Sequence, residues 1–213
     1  MDNKVIYQLA EENSGMSTVD RLVNMYHLLS QVLYMNIEGD IVELGCNQGK
    51  TSVFFKMLLD KYNSSKKLHL YDSFQGLPKQ GIHDQYLNEG DCKASIDEVY
   101  NNFLKWNLEN PEIHPGWFFE TLPHELPEKI SFAYLDSDFY DPILISLEAI
   151  YPKLSKGAIV IIDDYGDKER APKCWEGLPG VKKACDQFFK NVPESPTVLI
   201  GESDLSMCYF IKE

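Results

Sequence analysis

The sequence predicts an α/β fold: a mostly parallel sheet with a C-terminal antiparallel hairpin and helices on both faces, in three layers. Two observations predict it. Short apolar runs rich in β-branched and aromatic residues alternate with longer stretches whose apolar residues recur at helical spacing, and this alternation is typical of parallel sheets. The last two apolar runs, residues 197–200 and 207–211, are separated by a turn at 201–206, which indicates a hairpin.

The predicted elements follow one another along the chain. In order they are a helix at 17–34, a strand at 40–45, a helix at 50–62, a strand at 68–71, a helix at 94–108, a short strand around Ile113, a strand at 130–135, a helix from Pro142 and a strand at 158–162. Asp141 is expected as the N-cap of the helix at Pro142, because its carboxylate can accept from free backbone N–H groups. The buried stripes are expected at Leu22, Val23, Tyr26, Leu29 and Leu33, and at Ile96, Val99, Tyr100, Phe103 and Leu104.

The chain length sets the expected domain organisation. A chain of 213 residues, 44% of them hydrophobic, is long enough to bury the core of one domain. We expect a single domain over residues 1–213, with an N-terminal helical cap at 1–38 and the α/β core at 39–213. The apolar helix of the cap is expected either to cover a ligand or to form a homodimer contact.

Charge and cysteine usage narrow the function classes. The net charge of -13 argues against nucleic acid and against an anionic membrane surface as partners, because both are bound through clustered Lys and Arg. The five cysteines form no CxxC pair, so the sequence supports neither a disulfide framework nor a zinc knuckle, and a cytoplasmic location is expected. Residues 1–15 lack a basic start followed by an apolar run, and no apolar stretch is long enough to span a bilayer.

A glycine-containing turn follows the first predicted strand. Gly45 and Gly49 allow the backbone to turn tightly there and to approach a ligand. A plain turn and a nucleotide-type pocket are both consistent with this pattern alone. Asp72 ends the second strand, where an acidic side chain can accept hydrogen bonds from the hydroxyls of a ribose. The spacing does not match G-x-G-x-x-G, which disfavours a nicotinamide cofactor, and Leu44 stands where a phosphate-binding loop would need its first glycine.

Carboxylates crowd the ends of two further strands. Asp136 and Asp138 follow the strand at 130–135, and Asp163 and Asp164 follow the strand at 158–162. Like charges at such distances repel unless a proton or a cation lies between them, and Mg²⁺ (or Mn²⁺) prefers oxygen ligands of this kind. We therefore favour a metal site formed by Asp136, Asp163 and Asp164. The alternative is that these carboxylates cap helices or lie in a solvated loop.

Several segments resemble the TylF/MycF (macrocin-type) O-methyltransferase family, a group of Rossmann-like class I methyltransferases that depend on S-adenosylmethionine. The strings D-S-F-x-G-L-P and D-D-Y are the most specific of these features, and the resemblance covers most of the chain. The segments are residues 39–45 (GDIVELG), 71–78 (YDSFQGLP), 115–123 (PGWFFETLP), 135–142 (LDSDFYDP), 151–154 (YPKL), 161–165 (IIDDY) and 179–184 (PGVKKA).

The resemblance implies a role for each matching residue. At the cofactor it implies Glu43, Gly45, Asn47 and Thr51 on the methionine side, Asp72 at the ribose, Ser73 and Trp117 at the adenine, and Ser137 nearby. It implies that Asp136, Asp163 and Asp164 hold Mg²⁺, with the acceptor hydroxyl completing the coordination, and that Asp136 or Asp138 takes the proton. The acceptor would be a small molecule with a hydroxyl, such as a sugar or a similar polyol of a natural product or glycan.

Three hypotheses follow from the sequence. The leading one is a metal-dependent enzyme that transfers a methyl group from S-adenosylmethionine to such a hydroxyl. The second is a regulatory module that binds S-adenosylmethionine without catalysis, which the carboxylate cluster disfavours because a binder has no need of it. The third, an NAD-dependent dehydrogenase, is disfavoured by the glycine spacing. The insertion at 74–91 and the segment at 168–179 are expected to form mobile walls of the acceptor site.

Overall fold

The computed structural model describes residues 3–13, 16–202 and 204–213. The helices in this part of the chain are α1 (Asn3–Glu12), α2 (Val19–Tyr34), α3 (Lys50–Lys61), α4 (Ile96–Lys105), α5 (Phe118–Glu125), α6 (Tyr140–Ile150) and α7 (Pro179–Phe188). The strands are β1 (Asp40–Leu44), β2 (Leu68–Asp72), β3 (Glu112–Pro115), β4 (Ile130–Leu135), β5 (Leu154–Asp163), β6 (Thr197–Leu199) and β7 (Met207–Ile211).

The strands form one mixed sheet with the order β3-β2-β1-β4-β5-β7-β6. Strands β3, β2, β1, β4 and β5 are parallel, whereas β7 pairs antiparallel with both β5 and β6. This confirms the predicted parallel sheet with a terminal antiparallel hairpin. Strand order runs outward from β1 in both directions, so the carboxyl ends of β1 and β4 flank the switch point at which ligands of open α/β sheets bind.

The core consists of two hydrophobic clusters, one on each face of the sheet. Apolar residues alternate between the faces of each strand, so that Val42 and Leu44 of β1 face α5, α6 and α7, while Ile41 faces the other layer. In that second layer, α2, α3 and α4 pack against β1, β2, β4 and β5 through fully buried side chains such as Phe55 and Leu58. The three-layer arrangement expected from the sequence is therefore present.

Two of the predicted helical stripes are partly wrong. Val23 of α2 is 49% exposed, and Tyr100 and Leu104 of α4 are 39% and 75% exposed. The buried face of α2 is centred on Met25 and Val32, about a quarter-turn away from the predicted stripe. Apolar residues stand on several sides of both helices, so the spacing alone does not determine which side faces the sheet.

The start of α6 also differs from the prediction. The helix begins at Tyr140, its N-cap position is Phe139, and Asp141 lies within the first turn instead of capping it. The cap comes from a distant part of the chain, because Asp84 of the insertion accepts a hydrogen bond from the backbone N–H of Tyr140 at 2.8 Å. This carboxylate satisfies one of the free donors of the helix terminus.

Helix α1 was not predicted as a separate element of the cap, and α5 and α7 were not predicted at all. Helix α5 contains Pro123 and is eight residues long, and α7 begins with Pro179 and Gly180. Both carry residues that disfavour helices in sequence patterns, and both are held by the hydrophobic cluster of their face. Met1, Asp2, Ser14 and Gly15 of the predicted cap and Ser203 of the hairpin turn lie outside the described residues. Within the described ranges, no helix combines the length and apolar character needed to cross a bilayer.

The packing of α3 leads to a first prediction. Leu58→Ala should lower the free energy of unfolding by about 2–5 kcal/mol, because it leaves a cavity between α3 and the sheet. Leu104→Ala is the matched control, since Leu104 is 75% exposed and its truncation should change stability by less than about 0.5 kcal/mol. The measurement is urea unfolding of both variants. Equal losses would contradict the packing of α3.

Candidate active site

The turn after β1 approaches the loop after β4 closely. Gly45 has φ +92, and a Cβ there would lie 1.7 Å from the carbonyl oxygen of Asp136. Gly45 therefore cannot be replaced without separating two strand ends. The next residues keep the turn tight, with Asn47 at φ 47 and Gly49 as the N-cap of α3 at φ 72.

Asp72 is fixed at the end of β2. Its Oδ1 accepts from the backbone N–H of Phe74 and its Oδ2 from that of Asn47, both at 2.8 Å. Burial raises the pKa of Asp72, while these N–H donors counteract that rise. Each oxygen keeps a further lone pair, so the carboxylate can accept two more hydrogen bonds from a ligand.

A single cavity of about 750 Å³ brings most predicted site residues together. This volume lies within the range typical of small-molecule and cofactor sites. The cavity lies beyond the carboxyl ends of β1, β2, β4 and β5. Among the residues that line it are Gly45, Asn47, Asp72, Ser73, Trp117, Asp136, Ser137, Asp138, Asp163 and Asp164.

Glu43 and Thr51 lie beneath the glycine turn and are not among the described residues that line this cavity. Glu43 is buried and accepts a hydrogen bond from Ser52 at 2.5 Å, and burial raises its pKa to about 8. Thr51 shares a hydrogen bond of 3.1 Å with Ser17 of the N-terminal segment. Their direct contact with a cofactor stays a prediction, whereas the hydrogen bond between Glu43 and Ser52 joins β1 to α3 on the two sides of the turn.

Four carboxylates face one another at the ends of β4 and β5. Oxygen atoms of Asp136, Asp138 and Asp164 lie within 4.8 Å of one another. Burial raises the pKa of Asp136 and of Asp164 well above the usual range, and the charges of neighbouring carboxylates add to the effect. Burial, with the charge of Asp163, likewise raises the pKa of Asp138 to about 7. The crowding therefore favours a bound proton or a bound cation at this end of the sheet.

Asp163 is held differently from the other three carboxylates. Arg21 of α2 donates from Nε to both of its oxygens, at 3.0 and 3.1 Å, and Tyr134 donates its hydroxyl to Oδ2 at 2.5 Å. Arg21 also reaches Asp164, at 3.2 Å. The charge of Asp163 in turn raises the pKa of Arg21. The predicted trio of Asp136, Asp163 and Asp164 is therefore together, but the three oxygens closest to a common point include Asp138 in place of Asp163.

Arg21 and Tyr134 are site residues that sequence reasoning missed. Tyr134 stands in an apolar strand, where its hydroxyl gives no signal. Arg21 gives one: its side chain is buried although it lies on an otherwise apolar face of α2, and a buried Arg requires a carboxylate partner. As the only Lys or Arg of the predicted helix at 17–34, Arg21 could therefore have been matched to the excess of acidic residues at the strand ends.

The two predicted walls do border the cavity. The segment 74–91 contributes residues including Leu77 and Asp84, and the segment 168–179 contributes Trp175 and Leu178. The walls touch each other, because Tyr86 packs edge-on against Trp175 with ring centroids 5.2 Å apart. Their position is as predicted, and their mobility stays a prediction.

A family model described as Macrocin-O-methyltransferase (TylF) matches residues 10–187. The chain belongs to this family. A tetracenomycin-class relative from Streptomyces olivaceus, named 8-demethyl-8-(2,3-dimethoxy-alpha-L-rhamnosyl)-tetracenomycin-C 4'-O-methyltransferase, is 32% identical over 156 residues, covering 68% of this chain and 60% of that protein. The Mycinamicin III 3''-O-methyltransferase of Micromonospora griseorubida is 31% identical over 159 residues, covering 68% of this chain and 62% of that protein.

The family membership agrees with the likeness to solved structures. The O-methyltransferase NovP superposes with a TM-score of 0.77 at 26% identity, covering 92% of this chain and 80% of that chain. An O-methyltransferase from Bacillus cereus, solved in complex with SAH, gives a TM-score of 0.63 at 15% identity, covering 100% of this chain and 92% of that chain. The second likeness shows the fold alone. The chain spans about 60% of the length of the curated relatives that it matches.

The raised pKa of Asp138 predicts a specific pH dependence in metal-free protein. The folded state keeps a proton up to about pH 7 that the unfolded chain releases near the ordinary value of 3.8, so stability falls as pH rises between these values. Asp138→Asn removes this contribution and tolerates the positive φ of 60 at this position. Relative to the variant, the parent should lose at most about 1.4 kcal/mol per pH unit over this window.

The measurement is urea unfolding of both proteins between pH 4 and pH 7 with a chelator present. Asp97→Asn is the matched control, because Asp97 is exposed on α4, and its curve should run parallel to that of the parent. Parallel curves for the parent and Asp138→Asn would show that Asp138 is ionised in the folded state throughout.

Proposed function

We propose that this protein transfers a methyl group from S-adenosylmethionine to a hydroxyl of a sugar or similar polyol in a natural product or glycan, with the help of a divalent cation. The observation that carries the proposal is the carboxylate cluster of Asp136, Asp138 and Asp164 beside Asp72 in one cavity, in a chain of the macrocin-O-methyltransferase family. S-adenosylmethionine supplies the methyl group as an electrophile, and the residues of the chain position the two reactants.

The cofactor is proposed to lie across the ends of β1 and β2. Asp72 is oriented by two backbone N–H groups and is free to accept from both ribose hydroxyls. Gly45 lines the cavity, and its backbone is proposed to contact the amino acid part, while Trp117 and Ser73, which also line the cavity, are proposed to border the adenine. Glu43 and Thr51 act from beneath by supporting the turn, and Ser137 lies at the loop that Gly45 touches.

The acceptor is proposed to enter between the two walls. One relative is named for a methyl transfer to a rhamnosyl derivative of tetracenomycin, and another for transfer to mycinamicin III. A sugar acceptor suits a cavity with apolar walls, such as Leu77 and Trp175, and carboxylates at its floor. The contact between Tyr86 and Trp175 would exclude water once the acceptor is bound.

The residues present fit a divalent cation. The carboxylates of the cluster outnumber the single guanidinium that pairs with them, and burial, followed by the charges of neighbouring carboxylates, raises the pKa of Asp136 and of Asp164. Oxygens within 4.8 Å of one another need only a small movement to share one Mg²⁺ or Mn²⁺. When bound, the cation lowers the pKa of a coordinated hydroxyl and fixes its oxygen. Asp136 and Asp164 belong to both candidate ligand sets, with Asp163 or Asp138 as the third ligand.

Proton removal is assigned to the same carboxylates. Asp136 and Asp138 line the cavity, so their carboxylates are placed to accept the proton of a bound hydroxyl. Asp163 is held by Arg21 and Tyr134, so in this arrangement its role is to position Asp164 and the end of β5. The backbone N–H of Asp164 donates to Asp163 at 3.0 Å, which fixes the turn between them.

The alternatives have less support. A module that binds S-adenosylmethionine without catalysis would not need buried carboxylates whose mutual repulsion costs stability. An NAD-dependent enzyme would need a phosphate-binding glycine pattern that the turn after β1 lacks. We further propose that residues 1–213 act as one domain, because α2 of the cap shares its hydrophobic cluster with the sheet. The homodimer and the cytoplasmic location stay predictions.

The cofactor proposal predicts the effect of Asp72→Asn. The amide offers fewer acceptor lone pairs than the carboxylate and no charge, so the affinity for S-adenosylmethionine should fall by about tenfold or more, the equivalent of one charged hydrogen bond. Isothermal titration calorimetry measures this change. Asp97→Asn serves again as the control and should bind like the parent, while unchanged affinity in Asp72→Asn would remove Asp72 from the cofactor site.

The metal proposal predicts variants that lose affinity for Mg²⁺ but keep their affinity for S-adenosylmethionine in the same calorimetric titration. Asp136→Asn and Asp164→Asn should weaken Mg²⁺ binding strongly and leave S-adenosylmethionine binding within a few-fold, because each removes a charged oxygen ligand. Asp138→Asn and Asp163→Asn then compare the two candidates for the third ligand, and the one that loses Mg²⁺ affinity is the ligand. Methyl transfer to a sugar acceptor without Mg²⁺ dependence in the parent would contradict this part of the proposal.

A further inference from the structure

A second group of ligand-type side chains lies on the outer pair of parallel strands, away from the cavity. His69 of β2 and Glu112 and His114 of β3 project from the same face, because His69 pairs in register with Glu112, and His114 with Tyr71. These three residues are not among the described residues that line the cavity. The group is thus separate from the carboxylate cluster at the ends of β4 and β5.

The distances within this group match those around a small tetrahedral ion. Nδ1 of His69 lies 3.1 Å from Nε2 of His114 and 3.4 Å from Oε2 of Glu112. Two ligands of a tetrahedral zinc ion, each about 2.0–2.1 Å from the metal, are about 3.3–3.4 Å apart. All three donor atoms lie within 4.8 Å of one another. We propose that His69, Glu112 and His114 bind a divalent transition-metal ion of the zinc type.

The surroundings provide the outer carboxylates that zinc-bound histidines usually have. On the side away from the group, Nδ1 of His114 lies 2.8 Å from Oε2 of Glu125 in α5, and Nε2 of His69 lies 3.6 Å from Oδ2 of Asp40. Such carboxylates accept the second ring N–H, fix the orientation of the ring and raise the basicity of the ligand nitrogen. Lys67 holds the other oxygen of Glu112 at 2.6 Å.

Without an ion, the hydrogen bonds of the group leave Nε2 of His69 without a partner among the described residues. When Nδ1–H of His114 donates to Glu125, its Nε2 is an acceptor, and the Nδ1–H of His69 donates a hydrogen bond to it. Neutral His69 then points the lone pair of Nε2 towards the carboxylate of Asp40, and this buried nitrogen has no hydrogen-bond partner in the described structure. An ion on Nδ1 moves the proton of His69 to Nε2, where it can donate to Asp40.

The exposure of the three ligands fits an ion that solvent can reach. The side chains of His69 and His114 are 7% and 17% exposed, whereas that of Glu112 is 45% exposed. Two imidazoles therefore form the inner wall, and water can take the fourth position on the side of Glu112. The ion would join β3, the outermost parallel strand, to β2, and Gly116 and Trp117, which line the cavity, follow β3 directly.

The test is equilibrium dialysis of the tag-free chain against Zn²⁺, with excess Mg²⁺ to occupy the carboxylate cluster and with metal content measured afterwards. The parent should hold about one zinc ion per chain, as expected for one set of three protein ligands. His114→Gln and Glu112→Gln should weaken binding by at least about tenfold. His124→Gln is the matched control, because His124 is exposed on α5, and it should bind zinc like the parent.

Two additions keep the test decisive. Visible absorption of Co²⁺ reports a tetrahedral imidazole site directly, and the band should be present in the parent and lost in His114→Gln. If His114→Gln does not fold, the zinc content of Glu112→Gln, a substitution at a more exposed position, tests the proposal instead. Equal zinc content in the parent and both variants, or a Co²⁺ spectrum that the variants do not change, would overturn the proposal and leave a hydrogen-bonded histidine pair. Because the readout is metal content, the result is independent of methyl transfer.

Discussion

Repulsion between buried carboxylates is the constraint on which the rest of this site depends. Asp136, Asp138, Asp163 and Asp164 are brought together by the ends of β4 and β5, and the described structure balances them with one cation, the guanidinium of Arg21. A buried ion pair gains little over apolar packing, but a buried carboxylate without a partner is costly. The sheet tolerates this arrangement because its central strands β1 and β4 are buried along nearly their whole length and packed on both faces. The negative charge that Arg21 does not balance can then be balanced by a bound cation.

The parallel topology explains why the carboxylates meet. Strands β1, β2, β4 and β5 run in the same direction, so residues that follow each strand gather at one edge although they are far apart in sequence. Gly45 then determines how closely β1 and β4 approach, and Asp72 is oriented by the turn that Gly45 begins. The cavity around Asp72 and the carboxylate cluster consequently share one edge of the sheet, and a displacement of one strand end would also displace the other.

Most of the sheet and most of the cavity lining could be predicted from sequence because strand patterns and strand-end residues are local signals. What could not be predicted depends on distant contacts. Asp84 caps a helix more than fifty positions away, Arg21 pairs with carboxylates from the other end of the chain, and α5 forms around Pro123 because the hydrophobic cluster of its face holds it. The side of α2 that faces the sheet, missed at Val23, is likewise decided by the shape of the layer beneath it. Pattern alone has no access to such information.

The cap that Asp84 supplies to α6 has a consequence for engineering acceptor specificity. The insertion that forms one wall of the cavity also terminates a core helix, through Oδ1 on the N–H of Tyr140 and Oδ2 on the N–H of Gly81. A loop exchanged between family members to alter the methyl acceptor would therefore also have to cap α6. A grafted loop that keeps a hydrogen-bond-accepting side chain at position 84 still satisfies the backbone N–H at the start of α6. A loop chosen for its recognition residues alone would remove that hydrogen bond. The resulting loss of stability could then be mistaken for a change in specificity.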